Sequence, residues 1–286
     1  MEWVNETAVR VSALFVVFLL LYLFTLGTNA IIISTTMLDR ALHTPMYFFL
    51  SVLSCSETCY TFVIVPKMLV DLLAQKKTIS FLGCGIQMFS FLFLGCSHSF
   101  LLAVMGYGCY MAICNPLLAA ACFCGFTVSL ITTSLIFHLP FHSSNQLHHF
   151  FCDIPPVPKL ASHHSGLSQL VIFMLEIFAL VIPLSLILVT YIRIISAILK
   201  ISSSAGRYKT FSTCASHLIM VTVHYGCASF IYLRPKSNYS SSQDTLISVS
   251  YTILTTLFNP VIYNLRNKEF KSALRRTMGQ TLYPVN

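Results

Sequence analysis

A chain of 286 residues with only 9% charged and 56% hydrophobic residues cannot clothe a soluble surface, for which about 25% charge is usual. The net charge of +8 lies in short clusters between apolar runs, which disfavours a basic nucleic-acid-binding domain, and 11 cysteines, an odd number mostly inside those runs, exclude a disulfide scaffold. With a mean hydropathy of +0.78, the remaining class is an integral membrane protein that is mostly helical.

The chain opens on a glycosylation sequon, Asn5-Glu6-Thr7, a sequence used only outside the cell. The first span is expected over residues 11–36. Its apolar run exceeds the about 7–15 residues of a signal-peptide core, and residues 1–10 are not basic, so it reads as a retained signal anchor. The second span, 46–68, encloses Glu57. Next comes an interval without formal charge, 75 residues from Thr78 to Cys152. It is too long for one span and is expected to divide at Asn115-Pro116, where proline ends a helix. That gives spans 81–113 and 118–139. The fifth, 168–192, encloses Glu176; the sixth is 210–233 and the seventh 245–265. Each has the roughly 20 helical residues that cross a hydrocarbon core of ~30 Å. The tail, about 267–278, places Lys268, Lys271, Arg275 and Arg276 around Phe270, Ala273 and Leu274. It suits an amphipathic helix on the membrane surface or, alternatively, a solvated basic tail. The expected architecture is a single all-α seven-transmembrane domain over residues 1–286.

Lys and Arg set the orientation. With the N-terminus outside, the inner segments hold ten Lys and Arg against two acids, and the outer segments hold seven against five. The C-terminus is then cytoplasmic.

Glu57, Asn29, His98 and Asn259 fall at mid-span depth, where an ionised carboxylate costs roughly 2.5–3.5 kcal/mol on insertion scales. They are expected to form one interior cluster, unless each satisfies itself on neighbouring backbone. Asn259-Pro260 interrupts the last span and makes a bend. In the third span Phe91, Gly95, His98, Leu102, Met105 and Cys109 recur at intervals of three and four, a stripe that should face inward. Glu176 either faces a cavity or snorkels to the interface.

Several strings carry a family likeness. They are Gly27-Thr28-Asn29; Leu42-His43-Thr44-Pro45-Met46-Tyr47-Phe48-Phe49-Leu50 with Glu57; Met105-Gly106-Tyr107 with Tyr110-Met111-Ala112-Ile113-Cys114-Asn115-Pro116-Leu117; His149-Phe150-Phe151-Cys152-Asp153; Lys209-Thr210-Phe211-Ser212-Thr213-Cys214-Ala215-Ser216-His217-Leu218; His224-Tyr225-Gly226; and Asn259-Pro260-Val261-Ile262-Tyr263-Asn264-Leu265-Arg266-Asn267. In this order and spacing they run nearly end to end, and the chain resembles the olfactory receptors, a branch of the rhodopsin-like G-protein-coupled receptors.

The resemblance implies a plasma-membrane receptor that binds small volatile odorants and signals through a stimulatory olfactory G protein to cyclic AMP. It implies a disulfide between Cys84 and Cys152. It places the ligand among Phe91, Leu92, Cys96, Leu175, Glu176, Ala179, Tyr225, Ser229 and Tyr232, with Tyr225 as a sixth-helix switch. Switch and coupling roles fall on Glu57, His98, Gly108, Cys109, Tyr110, Tyr191, Asn259, Pro260 and Tyr263. No cofactor and no catalytic residue are implied.

Two departures strike the coupling face. The family's Asp-Arg-Tyr reads Gly108-Cys109-Tyr110 here, and cysteine supplies neither the charge nor the planar donor fork of arginine. After Asn115-Pro116-Leu117 the basic second inner loop is missing; roughly a dozen residues are lacking, judged by the hairpin still to be closed. A receptor fold with impaired coupling is therefore the competing reading. In the second outer loop His142 and Ser162 stand where many members carry a second cysteine pair, with both positions changed together. A transporter or channel is disfavoured, with no inverted repeat, paired broken helices or charge ring. Loop histidines His142, His148, His149, His163 and His164 beside Asp153 could bind zinc or copper, but the spacing fits no standard site, and none is expected. Cys122-Phe123-Cys124 reads as core thiols.

Overall fold

The computed structural model describes residues 2–74, 78–108, 114–139, 152, 166–200, 203–232, 255–257 and 268–282. The described helices are α1 (Glu2–Leu38), α2 (Pro45–Leu73), α3 (Phe81–Gly108), α4 (Cys114–Phe137), α5 (Gly166–Leu199), α6 (Ser204–Tyr232) and a C-terminal α7 (Lys268–Leu282), with a 3-10 turn at Arg40–Leu42. Of the expected seventh span, 245–265, the described part is residues 255–257, which are helical. Five helices, α1 to α5, are long and apolar enough to cross a membrane, and α6 contributes the shorter apolar stretch His217–Ile231.

Most of the helices run past the apolar intervals that announce them. α1 takes in Arg10, α2 reaches Leu73 rather than 68, α5 takes in Arg193 and runs to Leu199 rather than 192, and α6 starts at Ser204 rather than 210. A missing charge marks the hydrocarbon-buried part, whereas an existing helix extends into polar flanks at little cost. α3 is described as far as Gly108, and the expected continuation to 113 lies outside the described residues. α4 begins at Cys114, before the Asn115-Pro116 pair expected to separate two helices. Pro116 sits in its first turn, where the missing N–H has no intrahelical acceptor to lose.

Local chemistry sets the other ends. Thr44 is extended and Pro45 is the first residue of α2, a position that suits its fixed φ. The Ser80 hydroxyl accepts the Gly83 N–H at 3.0 Å and caps α3. Inside the helices, hydroxyls donate back to carbonyls one turn earlier: Thr36 to Ile32, Thr61 to Glu57, Ser129 to Gly125. In lipid this local bond meets a need that water would otherwise meet.

α3 is the axis of the bundle and packs against α2, α4, α5 and α6. Phe91, His98, Leu102 and Met105 of its expected inward stripe are buried, Gly95 is half-buried, and Cys109 lies outside the described residues. The outside is apolar, with Leu14, Val17, Leu20 and Phe24 of α1 and Leu186, Leu188 and Val189 of α5 all exposed. Such a surface suits hydrocarbon rather than water. At the end remote from the cysteine bridge, α7 docks Phe270 and Ala273, both essentially inaccessible, on Ile32, Leu42, Tyr47 and Leu50. Its apolar face is thus turned to the protein.

Candidate ligand-binding site

One end of α3 is pinned. Cys84 forms a disulfide with Cys152, their Cα atoms 5.4 Å apart. Gln87, one turn on, donates to the Val63 carbonyl of α2 at 3.0 Å and accepts the Cys152 N–H at 3.1 Å. A single buried amide thereby ties α2, α3 and the bridged segment together.

Below this closure lies a cavity with about 570 Å³ of atom-free space, its open mouth included. α3 gives Phe91, Leu92, Gly95, Cys96 and Ser99, and α5 gives Leu175, Glu176, Ala179 and Leu180. Tyr60 enters from α2, Val128 and Thr132 from α4, His224 and Ala228 from α6. Gly95 leaves the wall open: a Cβ built there meets nothing within 4 Å.

A chain of polar contacts runs from the cavity into the bundle. The Ser99 hydroxyl and His224 Nε2 lie 2.8 Å apart, and the Tyr225 hydroxyl donates to the Ser99 carbonyl at 2.8 Å. The His224 ring stacks on His98, centroids 4.9 Å apart. His98 Nδ1 is in turn 3.3 Å from Glu57 Oε1. The expected interior cluster is therefore present for Glu57 and His98 and gains His224. Asn29 is fully buried, but its amide has no hydrogen-bond partner among the described residues, and Asn259 lies outside them. Further along, the Tyr191 hydroxyl is 2.6 Å from His217 Nδ1 and joins α5 to α6.

A sequence profile of the olfactory receptors matches residues 18–281. The chain belongs to the olfactory receptor family. It is 77% identical to olfactory receptor 10K1 of Homo sapiens, with 100% of both chains covered, and 71% identical to olfactory receptor 10K2 of Homo sapiens, with 99% of each covered. The 10K1 alignment is 313 positions long against a chain of 286 residues, so at least 27 positions (313 less 286) have no residue of this chain. The solved structure of squid rhodopsin superposes with a TM-score of 0.65 at 16% identity, covering 98% of this chain and 88% of that one. That likeness concerns the fold, a seven-helix bundle of the rhodopsin type. The protein is an olfactory receptor of the G-protein-coupled type, a multi-pass membrane protein and not an enzyme.

Of the residues the sequence suggested for the ligand, Phe91, Leu92, Cys96, Leu175, Glu176 and Ala179 stand in the receptor's cavity wall. Tyr225 and Ser229 do not. Tyr225 is turned into the seam with Leu102, Ile187 and Tyr191. The α6 wall is the row His224 and Ala228, and a residue one position on is rotated by about 100°. Tyr232 ends α6, and its side chain lies outside the described ones. Tyr60, Gly95, Ser99, Val128, Thr132, Leu180, His224 and Ala228 were not foreseen as wall residues. For His224 and Ala228 the four-residue spacing was the available signal. Among the coupling positions, Glu57, His98 and Tyr191 belong to the polar contacts above and Gly108 is the last residue of α3. Cys109, Tyr110, Asn259, Pro260 and Tyr263 lie outside the described residues, as do the loop histidines. Asn5 falls within α1. Among the described residues no group of three or more metal-binding side chains converges.

Proposed function

We propose that this receptor binds small volatile molecules in the cavity between α3, α5 and α6 and signals through a stimulatory olfactory G protein to cyclic AMP. The observation that carries the reading is the wall itself: mostly apolar, with a few polar groups, and joined through Ser99 and His224 to the buried Glu57–His98 pair. A molecule pressing on Ser99 or His224 bears directly on the contact between α3 and α6. The plasma membrane is the proposed location, with the N-terminus outside and the C-terminus in the cytoplasm. The Lys and Arg bias, the sequon at Asn5 and the need of the Cys84–Cys152 bridge for an oxidising side support that orientation.

A second reading, a receptor fold that holds its ligand but couples poorly, is favoured by Gly108-Cys109 in place of Asp-Arg and by the 27 or more unmatched positions (313 less 286) against 10K1. The test is a cyclic-AMP screen with an odorant panel on this chain and on the double variant Gly108→Asp/Cys109→Arg, with surface staining first. Responses from the native chain establish the first reading. Responses from the repaired chain alone establish the second. Surface-expressed protein that responds in neither form, and whose cavity binds no panel member, overturns both.

A further inference from the structure

Glu176 is the one formally charged residue in the described cavity wall, and no Lys or Arg stands there with it. Around it are apolar side chains and the small polar heads of Cys96, Ser99 and Thr132. Ser99 and His224 face each other across 2.8 Å. Glu176 is half-buried at the wall of a mostly apolar cavity, so a molecule sharing the cavity is ranked by what it presents to that carboxylate. A carboxylic acid presents a like charge. A hydrocarbon presents nothing to the oxygens. An alcohol gives a neutral hydrogen bond, and an ammonium group gives charge-assisted ones, roughly twice as strong. Glu176 already makes an interaction within the protein, so an ammonium group joins or displaces an existing partner.

We infer that the receptor's ligand class is small primary amines, bound protonated, with the ammonium group on Glu176 and an apolar body against Phe91, Leu92 and Leu180. Such molecules are volatile as free bases and take up a proton in the aqueous film before binding. The inference rests on the cavity being the odorant site, and it adds the head group that site selects. Because recognition takes place at the wall, it is independent of whether the chain couples to a G protein.

The experiment therefore reads binding. The full chain in nanodiscs at pH 7.4 is titrated with hexylamine, hexan-1-ol and hexanoic acid, which share one apolar body, and dissociation constants are taken from saturation-transfer NMR. Hexylamine is expected to bind about tenfold more tightly than hexanol, and hexanoic acid more weakly than either. Glu176→Gln brings the amine to the alcohol's level, and Glu176→Asp, which keeps the charge, retains the preference. Gly95→Phe, which fills the cavity, removes binding of all three. Equal affinity for amine and alcohol in the native chain, or an amine preference that survives Glu176→Gln, overturns the amine assignment and leaves the cavity reading standing. Binding that Gly95→Phe does not disturb, or no binding by any of the three, overturns the cavity reading itself.

Discussion

Ser99 of α3 holds His224 of α6 through its hydroxyl, 2.8 Å from the ring Nε2, while its backbone carbonyl takes the hydroxyl of the next residue, Tyr225, also at 2.8 Å. One α3 residue thus secures two consecutive α6 residues, one in the cavity wall and one in the packed seam behind it. The two bonds are chemically separable, because one uses a side chain and the other the main chain.

That separation gives a prediction. Ser99→Ala removes the hydroxyl and leaves the carbonyl, so a buried imidazole nitrogen loses this partner at a cost of about 1–3 kcal/mol. Tyr225→Phe removes only the bond to the carbonyl, worth about 1 kcal/mol net. Because Ser99 and Tyr225 touch each other and share His224 as a neighbour, the loss in the double variant should differ from the sum of the two by a coupling of about 0.5–3 kcal/mol. Thermal unfolding of the purified receptor checks this; a Ser99→Ala protein as stable as the native one would show that the pair holds nothing.

The Glu57–His98 contact, 3.3 Å between side chains that are 3% and 9% exposed, invites a different design. Removing one member of a buried pair strands the other and typically costs about 3–5 kcal/mol, whereas replacing both with apolar residues costs far less. Glu57→Leu and His98→Leu should each lower surface expression and melting temperature strongly, and the double variant should recover part of the loss. A double variant worse than either single would mean that the two side chains serve other partners more than each other.

How much of this could be read from sequence follows from the range of each interaction. The spans were legible because hydrocarbon tolerates so little charge, and Glu57 with His98 because polar groups at that depth need company. The wall candidates on α3 and α5 came from the family likeness, and of them Phe91 alone also lay on the helical stripe read from spacing. The wall on α6 was misplaced by one residue, on Tyr225 and Ser229 rather than His224 and Ala228, because α6 is apolar on several faces and its rotation is set only by tertiary packing. Ser99 with His224, 125 residues apart, and Asp39 with Arg276, 237 apart, leave no local trace. Val128 and Thr132 were missed for a related reason: α4 shows no sequence pattern that singles out the face it turns to α3.

Two glycines make opposite predictions. At Gly125, where α4 crosses α3, an added Cβ would stand 2.3 Å from the Ser97 Oγ, 3.0 Å from the Ser97 nitrogen and 3.1 Å from the Phe93 carbonyl oxygen. Two of these are backbone atoms that cannot turn aside. Gly125→Ala must therefore separate the helices, at a cost of about 1–3 kcal/mol. At Gly95 nothing lies within 4 Å, and Gly95→Ala should be neutral or stabilise α3 by roughly 0.5–1 kcal/mol through reduced chain entropy. Melting temperatures of the two variants should move in opposite directions or differ clearly in size. A harmless Gly125→Ala would contradict the close α3–α4 approach.

The last prediction concerns the clamp on α7. The Arg276 guanidinium meets Asp39 Oδ2 at 2.8 and 2.9 Å, while Asp39 Oδ1 accepts the Ala41 N–H at 2.9 Å. The Ala41 N–H first, and then Arg276, hold the Asp39 carboxyl below the usual carboxylate range. For an acid lowered in the folded state, the stabilisation is complete above the unfolded value of about 4 and disappears as the pH falls through the folded one. Hydrogen exchange in α7 should therefore stay flat from about pH 8 to 5, after correction for intrinsic rates, and quicken below about pH 4. Asp39→Asn should abolish that step, and Arg276→Ala should speed exchange already at neutral pH. Neither should release the helix, because Phe270 and Ala273 remain buried and the Tyr47 hydroxyl still donates to Glu269 at 3.3 Å. An acid step that persists in Asp39→Asn would assign the titration to another group and remove Asp39 from the clamp.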